Sequence, residues 1–463
     1  MNIAHRIFQA CLLLALGASG ATGLAATPAG AAASPTTAPV TSGPIPVRVA
    51  REGERYVLLR GGKPYIVNGA GLEFGSMEEL AARGGNSFRT WRTENGKMSA
   101  REVLDKAQSL GLTVMMCIEI GRERLKFDYD DRKAVARQLE YARREVLKYK
   151  DHPALLAWMI GNEPNLRYKN PKVFDAINDI SKMIHEVDPN HLTTTALAGF
   201  DASLAQMVQT RMPDLDFISI QMYGDIVNLP RYLEQIRYSG PYMVTEWGAT
   251  GHWEVPKTSW GRPIEHTSSE KAESYRRAHD TAIRADDGRL IGNYVFLWGQ
   301  KQERTPTWYG MFLEDGSATE TVDYMQYAWT GTWPANRSPR VESLRLDGKR
   351  AEDSVVLAPG QRVAARVEAA DPEGRPLNYT WWVKREIRLK QDGGDDEPTP
   401  PKIEVRMEDA GSAQPAFTAP GRPGGYRLFV YVHDGAGSAG HANIPFYVAK
   451  PGTLPVVYVE KPE

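Results

Sequence analysis

Residues 155–163 read LLAWMIGNE, an apolar run that ends in polar side chains. A strand with one solvated face alternates apolar and polar residues, whereas a parallel strand that is buried on both faces is continuously apolar. We therefore predict a buried parallel strand here, with Asn162 and Glu163 at its carboxyl end.

Seven further stretches along the chain have the same character. They are PYIVNGAG from Pro64, NSFRTW from Asn86, TVMMCIEI from Thr113, TTTALAG from Thr193, FISIQMYG from Phe217, YMVTEWG from Tyr242 and IGNYVFLWG from Ile291. The segments between them carry charges at helical spacing. One of these helices is predicted to begin after a Ser99 cap and to stop at Gly111, and another is predicted to follow Asp130.

Eight strand-helix units between Val47 and Trp333 predict an α/β fold, a (β/α)8 TIM barrel over residues 47–333. The alternative is a doubly wound open sheet. No GxGxxG or P-loop sequence opens a strand-to-helix turn, which removes the usual sign of that fold.

The composition excludes several classes of protein. Of the 463 residues 42% are hydrophobic, and 56 Lys and Arg are balanced by 57 Asp and Glu. A disordered chain would be less apolar and more highly charged, and a nucleic-acid-binding protein usually has a basic excess. The two cysteines, Cys11 and Cys117, are too few for a disulfide-stapled scaffold.

The first 26 residues have the features of a secretory signal peptide. His5 and Arg6 form a short basic start, the apolar run 11–17 is too short to span a bilayer, and small residues follow. Residues 27–46 are rich in Pro, Ala, Ser and Thr and are predicted to be a linker. Because no later stretch reaches about 18 apolar residues, we expect an exported protein, periplasmic or extracellular, without a membrane span.

The character of the chain changes at Thr332. Beyond it, short alternating runs are separated by Gly, Pro and Asp turns, which predicts a small all-β sandwich over 340–449 and a tail over 450–463. Its stretch DPEGRPLNYTWWV resembles the immunoglobulin-like modules appended to secreted polysaccharide enzymes. The acidic segment DGGDDE from Asp392 could bind calcium, but no complete calcium-loop pattern is present, so we interpret it as a solvated loop.

Two carboxyl groups stand at the ends of predicted barrel strands, where the side chains of a TIM barrel form the active site. Glu163 ends the fourth strand and Glu246 the seventh, each among aromatic residues. Cleavage of a glycosidic bond needs two carboxyl groups in unlike environments, one protonated and one ionised. A single Glu at a strand end is more often an ion-pair partner, but two at these positions indicate a catalytic pair.

Five motifs fall in order on the predicted strands. They are NSFRTW with Arg89, GNEP at 161–164, QMYG with Tyr223, TEWG at 245–248 and FLWG with Trp298. On these motifs the chain resembles the retaining glycoside hydrolases with a (β/α)8 barrel, and most closely the catalytic domain of glycoside hydrolase family 2. Family 2 enzymes usually carry β-sandwich domains before the barrel, whereas the sandwich here follows it, so the specific substrate is not carried over.

The resemblance implies that Glu163 is the general acid/base and that Glu246 is the nucleophile. It also implies that Asn162 forms a hydrogen bond with the 2-hydroxyl group of the sugar. This chemistry requires neither a metal nor an organic cofactor.

Three further roles follow from the same resemblance. Arg89 would keep Glu246 ionised, Tyr223 would form a hydrogen bond with Glu246, and Trp298 would form the floor under the cleaved sugar. The alternatives are a buried structural ion pair for Arg89 and plain core packing for Tyr223 and Trp298.

Long polar loops with embedded indoles follow the seventh and eighth strands. Ordinary loops of this kind have about 2 to 6 residues, and longer ones usually have a binding function. We therefore expect Trp247 and Trp308 to contribute to sugar subsites. The alternative is that these indoles only pin the loops down.

These observations predict an exported retaining β-glycoside hydrolase that acts on a β-linked glucan or a related polysaccharide by double displacement. The alternatives are a β-glucan transglycosylase of the same architecture and a non-catalytic carbohydrate-binding barrel. The presence of both carboxyl groups argues against the last, because binding alone needs neither.

Overall fold

In a computed structural model the chain forms an α/β barrel followed by a β-sandwich, the fold class that the sequence predicts. The structure describes residues 42–286, 288–387 and 394–458. The predicted signal peptide, and the predicted linker as far as residue 41, lie outside the described residues. Within them no helix is both long and apolar enough to cross a bilayer.

The barrel has eight parallel strands and eight α-helices within the described residues, and a small antiparallel sheet precedes it. That sheet consists of β1 (Val47–Glu52), β2 (Arg55–Arg60) and β3 (Lys63–Pro64). The barrel strands are β4 (Asn68–Gly71), β5 (Ser87–Arg89), β6 (Thr113–Ile118), β7 (Leu155–Asn162), β8 (Leu192–Ala198), β9 (Ile218–Gln221), β10 (Tyr242–Gly248) and β11 (Leu290–Phe296). β11 pairs with both β10 and β4, which closes the barrel.

One helix follows each barrel strand. The helices are α1 (Met77–Ala82), α2 (Ala100–Ser109), α3 (Arg132–Tyr149), α4 (Lys172–Val187), α5 (Ala202–Arg211), α6 (Leu229–Ile236), α7 (Ser268–Ala278) and α8 (Glu320–Thr330). Ser99 caps α2 in a reciprocal capping box with Glu102, and Gly111 follows its end with a φ of 72°. The predicted start and end of this helix are therefore confirmed.

The pleat of each strand sorts its side chains between the barrel interior and the helices. On β6, Met115 and Cys117 lie in the interior cluster, whereas Val114 and Met116 pack in the cluster that includes the helices. All are fully buried, which explains the continuously apolar sequence.

The small β1–β3 sheet closes the amino-terminal end of the barrel. Val47 and Leu58 are buried in the same cluster as Met115. The Val47 amide donates to the carbonyl of Asn190 at 2.8 Å, just before β8, and the Arg60 guanidinium donates to Pro153 at 2.7 Å, just before β7. This sheet was not among the strands predicted from the sequence.

Two further sheets share a second core and form the predicted β-sandwich, here called the C-terminal module. Their strands are β12 (Arg340–Leu346), β13 (Val356–Leu357), β14 (Arg362–Ala370), β15 (Asn378–Arg385), β16 (Lys402–Ile403), β17 (Met407–Glu408), β18 (Ala416–Thr418), β19 (Gly424–His433) and β20 (Ala439–Val448). One sheet has the order β12-β14-β18-β17 and the other β13-β20-β19-β15-β16. The immunoglobulin-like character of the module stays a prediction.

The outer face of the β19–β20 hairpin packs against the barrel. All ten residues of β20 are buried. Arg427 on β19 donates to the carbonyl of Pro263 at 2.9 Å, and the His441 amide on β20 donates to Ser268 Oγ at 2.9 Å. The module is therefore joined to the barrel through a buried face.

A buried carboxylate lies at the centre of this contact. Glu265, from the loop after β10, accepts hydrogen bonds from Lys271 Nζ at 2.5 Å, Thr305 Oγ1 at 2.6 Å and Asn443 Nδ2 of the module at 2.6 Å. Burial alone would raise its pKa, but the Lys271 charge and these donors outweigh that effect and lower the pKa of Glu265 from 4.5 to about 2. The carboxylate is ionised and bridges barrel and module.

We expect Glu265→Ala to lower the free energy of unfolding by about 3–5 kcal/mol, because it leaves Lys271 as an uncompensated buried charge. Urea denaturation at pH 7 measures this. Glu408→Ala is the control, because Glu408 pairs with Arg362 on the surface and such pairs contribute about 0–1 kcal/mol. Equal losses in the two variants would contradict the prediction. Since the folded pKa is depressed, the Glu265 contribution is present above pH 4.5 and is lost as the pH falls towards 2.

Candidate active site

Both predicted catalytic carboxyl groups lie where a barrel strand departs from regular pairing. The register of β7 against β8 shifts between Met159 and Asn162, and that of β10 against β9 shifts between Val244 and Glu246. Such irregularities redirect side chains and recur beside active sites. They turn the two carboxyl groups towards one cleft above the barrel.

The backbone around Glu163 has an unusual conformation. Gly161 has a φ of 75° and Glu163 a φ of 51°. The Glu163 amide donates to the carbonyl of Ala196 on β8 at 2.9 Å, which fixes the turn. Non-glycine residues rarely adopt a positive φ, and such strained residues cluster at functional sites.

Glu246 is held by three donors. Its Oε1 accepts from Arg89 Nη1 at 3.1 Å and from Trp91 Nε1 at 2.9 Å, and its Oε2 accepts the Tyr223 hydroxyl at 2.7 Å. Its exposed fraction is 5%. Three donors, one of them cationic, satisfy the oxygen atoms of this buried carboxyl group and fix its orientation.

Asn162 lies beside this carboxylate and shares its cation. Asn162 Oδ1 accepts from Arg89 Nη2 at 2.7 Å and from Gln221 Nε2 at 2.8 Å. Because Oδ1 takes both hydrogen bonds, the Nδ2 group is the one that can donate to a ligand in the cleft. Arg89 therefore orients two neighbours at once.

The environment of Glu163 differs from that of Glu246. Burial raises the pKa of Glu163 to about 8, and the negative charge of Glu246 adds to the rise, while Arg124 and Arg89 oppose it. Glu163 is therefore protonated at neutral pH. The site thus combines Glu163, which can donate a proton, with Glu246, whose carboxyl group is fixed in position by three hydrogen-bond donors.

The two groups border a cleft of about 920 Å³, within the usual range for a ligand site. Loops from around the barrel form its wall. Eight aromatic residues border it, and they are Phe74, Trp91, Phe127, Tyr223, Trp253, Phe296, Trp298 and Tyr309. Such a surface suits the apolar faces of sugar rings.

The structure contradicts the predicted substrate contacts of Trp247 and Trp308, because both are buried away from the cleft. Trp247 follows Glu246 and lies on the opposite side of β10, in the layer between strand and helix. Its Nε1 donates to Asn293 Oδ1 at 3.1 Å, and its ring stacks on His279. Trp308 donates to the carbonyl of Thr250 at 3.0 Å, so it pins one loop to another.

Trp298 follows β11 and borders the cleft, but its exposed fraction is 0%. Its ring packs against Phe312 and Trp329, and its Nε1 donates to the carbonyl of Ser76 at 3.0 Å. A floor for a sugar ring needs an exposed face, so this packing favours the alternative of a core residue.

Sequence analysis missed the role of Trp91 as a donor to Glu246. Residues two apart on an extended segment point the same way, so the spacing of Trp91 from Arg89 could have revealed it. Trp253, an indole of the long loop after β10, also borders the cleft. It is 40% exposed, and its ring meets Tyr223 edge-on at a centroid distance of 5.7 Å.

A further carboxylate, Glu254, holds the backbone next to Tyr223. It accepts hydrogen bonds from the amides of Gly224 at 2.8 Å, Asp225 at 2.7 Å and Gly251 at 2.7 Å. These contacts tie the loop after β9 to the loop after β10. Through them Glu254 fixes the position from which the Tyr223 hydroxyl reaches Glu246.

No group of three or more His, Cys, Asp or Glu side chains within the described ranges is arranged to hold a metal ion.

Comparison with known proteins agrees with the resemblance found in the sequence. Residues 102–254, about a third of the chain, match the family model for glycosyl hydrolases family 2, TIM barrel domain. The match contains Glu163, Tyr223 and Glu246. It confirms the resemblance to that barrel family.

Curated relatives match over short segments. A putative mannan endo-1,4-beta-mannosidase 4 of Arabidopsis thaliana is 41% identical over 54 residues, which are 11% of this chain and 13% of the relative. Mannan endo-1,4-beta-mannosidase F of Aspergillus clavatus is 35% identical over 60 residues, which are 13% of this chain and 14% of the relative. The chain thus matches only about an eighth of the length of these relatives.

Among solved structures, a β-glucuronidase of Faecalibacterium prausnitzii is similar with a TM-score of 0.47 and 19% sequence identity. The similarity covers 62% of this chain and 52% of that one.

Proposed function

We propose that the chain is a retaining β-glycoside hydrolase, with Glu246 as nucleophile and Glu163 as general acid/base. The observation that carries the proposal is the contrast between the two carboxyl groups. Glu246 is fixed by Arg89, Trp91 and Tyr223, whereas burial raises the pKa of Glu163 to about 8. This is the division of roles that glycosidic cleavage requires.

In the first step a carboxylate oxygen of Glu246 attacks the anomeric carbon. The bond from that carbon to the leaving oxygen breaks as Glu163 donates its proton to that oxygen, which leaves a glycosyl ester on Glu246. The leaving sugar departs with a free hydroxyl group. Arg89 and Trp91 donate to Oε1 of Glu246, and Tyr223 donates to Oε2. Both oxygen atoms are therefore oriented during the attack.

In the second step Glu163 is ionised and takes a proton from water. The water oxygen attacks the anomeric carbon and displaces Glu246, so the product has the same anomeric configuration as the substrate. The amide of Asn162 is placed to donate to the sugar 2-hydroxyl during both steps, because its oxygen is engaged by Arg89 and Gln221.

We propose that the enzyme is exported and that its substrate is a neutral β-linked polysaccharide. The open cleft and its aromatic wall support a chain of several sugar units. A β-linked glucan is the substrate that the sequence suggests, and the names of the two curated relatives add β-1,4-mannan as a candidate.

The proposal is tested by product stereochemistry. Purified protein is incubated with β-1,3-glucan, β-1,4-glucan, mixed-linkage glucan and β-1,4-mannan, and the first-formed product is followed by proton NMR. We expect the β-anomer to appear first and to mutarotate later. Glu246→Gln protein purified in parallel controls for contaminating glycosidases. An α-anomer formed first, or no turnover of any β-glycan, would overturn the proposal.

The alternative activity is transglycosylation, in which a sugar hydroxyl replaces water in the second step. The cleft volume of about 920 Å³ supports it as a second candidate, since it leaves room for an acceptor sugar on the leaving-group side. Mass spectrometry of the same reactions separates the two activities. Products longer than the starting oligosaccharide indicate transfer, and only shorter products indicate hydrolysis.

A further inference from the structure

A segment of the C-terminal module reaches the barrel cleft. Residues 394–397, between β15 and β16, read GDDE and are here called the module segment. Gly394, Asp395 and Asp396 border the same cleft as Glu163 and Glu246. The other residues that border the cleft belong to the barrel.

Three contacts hold the module segment to barrel loops. Asp395 Oδ1 pairs with Arg124 Nη1 at 2.7 Å, and the amide of Gly394 donates to Glu303 Oε1 at 3.3 Å. The amide of Arg304 donates to Glu397 Oε2 at 2.7 Å. The loops that provide these partners follow β6 and β11.

These contacts are more protected than ordinary surface pairs. The side chains of Arg124 and Glu397 have exposed fractions of 6% and 3%, and partly buried charged contacts are less screened by solvent than exposed ones. The side chains of Asp395 and Glu397 thus anchor the segment to the barrel, whereas Gly394 and Asp396 are exposed, as the interpretation of this stretch as a solvated loop predicts. Asp392 and Gly393 lie outside the described residues.

Asp396 differs from its neighbours in the segment. It is exposed, it borders the cleft, and no Lys, Arg or His side chain in the described part of the chain lies within the 4.0 Å of an ion pair with it. Burial raises the pKa of Glu73 on this side of the cleft, and the negative charge of Asp396 raises it further. An unpaired carboxylate facing a cleft accepts hydrogen bonds from hydroxyl groups and disfavours an anionic ligand.

We propose that the module segment is one wall of the substrate cleft and that Asp396 binds hydroxyl groups of a neutral sugar unit other than the one that is cleaved. The charge of Asp396 acts on Glu73, which follows β4, and we assign Asp396 to a sugar unit on that side of the cleft, away from the reacting bond. Asp395 and Glu397 anchor the segment. This inference rests on the proposed function, and it makes the module a part of the specificity of the enzyme.

The test compares a long substrate with a short one. In the full-length protein, Asp396→Ala is expected to lower kcat/KM for cellohexaose or mannohexaose about tenfold, because a hydrogen bond to a charged group has about that effect. For 4-nitrophenyl β-glucoside or β-mannoside, which fills only the central position, kcat/KM is expected to change less than about twofold. Glu404→Ala, an exposed carboxylate of the same module outside the cleft, is expected to change neither.

The outcomes separate this inference from the proposed function. If the wild type cleaves the long and the short substrates and Asp396→Ala lowers both equally, or neither, the inference is overturned and the proposed function stands. If the wild type cleaves neither these substrates nor any of the four polysaccharides, the proposed function fails, and calorimetric titration with the same hexasaccharides decides the inference. Weaker binding by Asp396→Ala than by wild type and Glu404→Ala supports it, and equal or undetectable binding overturns it.

Discussion

Replacing Glu246 with alanine is expected to lower kcat on every substrate by on the order of 10⁴-fold or more, which is the scale seen when a catalytic nucleophile is removed. The reason is structural. Arg89, Trp91 and Tyr223 all donate to this carboxylate, so its loss removes the attacking atom and leaves three donors without their acceptor. Initial rates measured with a 4-nitrophenyl β-glycoside give the result. Glu119→Ala is the matched control, because Glu119 also borders the cleft but is exposed, and we expect it to lose less than about tenfold.

Azide provides a stringent check on the same variant. In Glu246→Ala the small anion can occupy the space of the missing carboxylate and attack the anomeric carbon as the 4-nitrophenol departs. The product is then an α-glycosyl azide, with configuration opposite to that of the β-linked substrate. A β-glycosyl azide, or activity like that of the wild type, would show that Glu246 is not the nucleophile.

Replacing Glu163 with glutamine is expected to lower kcat/KM for an oligosaccharide by about 10²–10⁴-fold, the usual contribution of general acid catalysis. A sugar is a poor leaving group that needs a proton, whereas 2,4-dinitrophenol leaves without one. The loss with a 2,4-dinitrophenyl β-glycoside should therefore be much smaller. Equal losses with the two substrates would contradict the role of Glu163 as acid.

The pH dependence of the wild type tests the same assignment. The pKa of Glu163 is raised to about 8, chiefly by burial and next by the charge of Glu246. The acid is protonated below that pH, so kcat/KM for an oligosaccharide is expected to be retained up to about pH 8 and to fall above it. The charges of Arg124, Arg89 and Glu303 also act on Glu163. The alkaline limb of the pH profile therefore reports an apparent pKa of the coupled site. In Glu163→Gln this limb should be absent, and a limb that persists would identify another group as the acid.

The sequence predicted the fold and the meeting of Glu163 and Glu246 at one cleft for one physical reason. Barrel strands are short and locally encoded, and their carboxyl ends converge by topology, so residues as far apart as Arg89 and Glu246 could be brought together without knowledge of any contact. The hydrogen bond that joins Tyr223 to Glu246 has the form that the family resemblance implied.

The failures have equally specific causes. Trp247 is adjacent to Glu246 in the chain, but the pleat sends neighbouring side chains to opposite faces of a strand, and closeness in sequence was mistaken for closeness in the site. Trp308 and the module segment depend on how long loops fold over one another. Such contacts, for example the ion pair between Arg124 and Asp395, join distant parts of the chain. Local sequence patterns therefore do not predict them.

The buried contact between barrel and module has a consequence for how such enzymes can diversify. Glu265 in the barrel bonds to Asn443 in the module, and Arg427 in the module bonds back to Pro263. A recombination event that exchanged this module for another would leave a buried carboxylate without one of its donors and would uncover the ring of Trp260, which packs against Tyr447 of the module. Barrel and module are therefore expected to be inherited and to diverge as a pair, unlike appendages that are shuffled freely between enzymes.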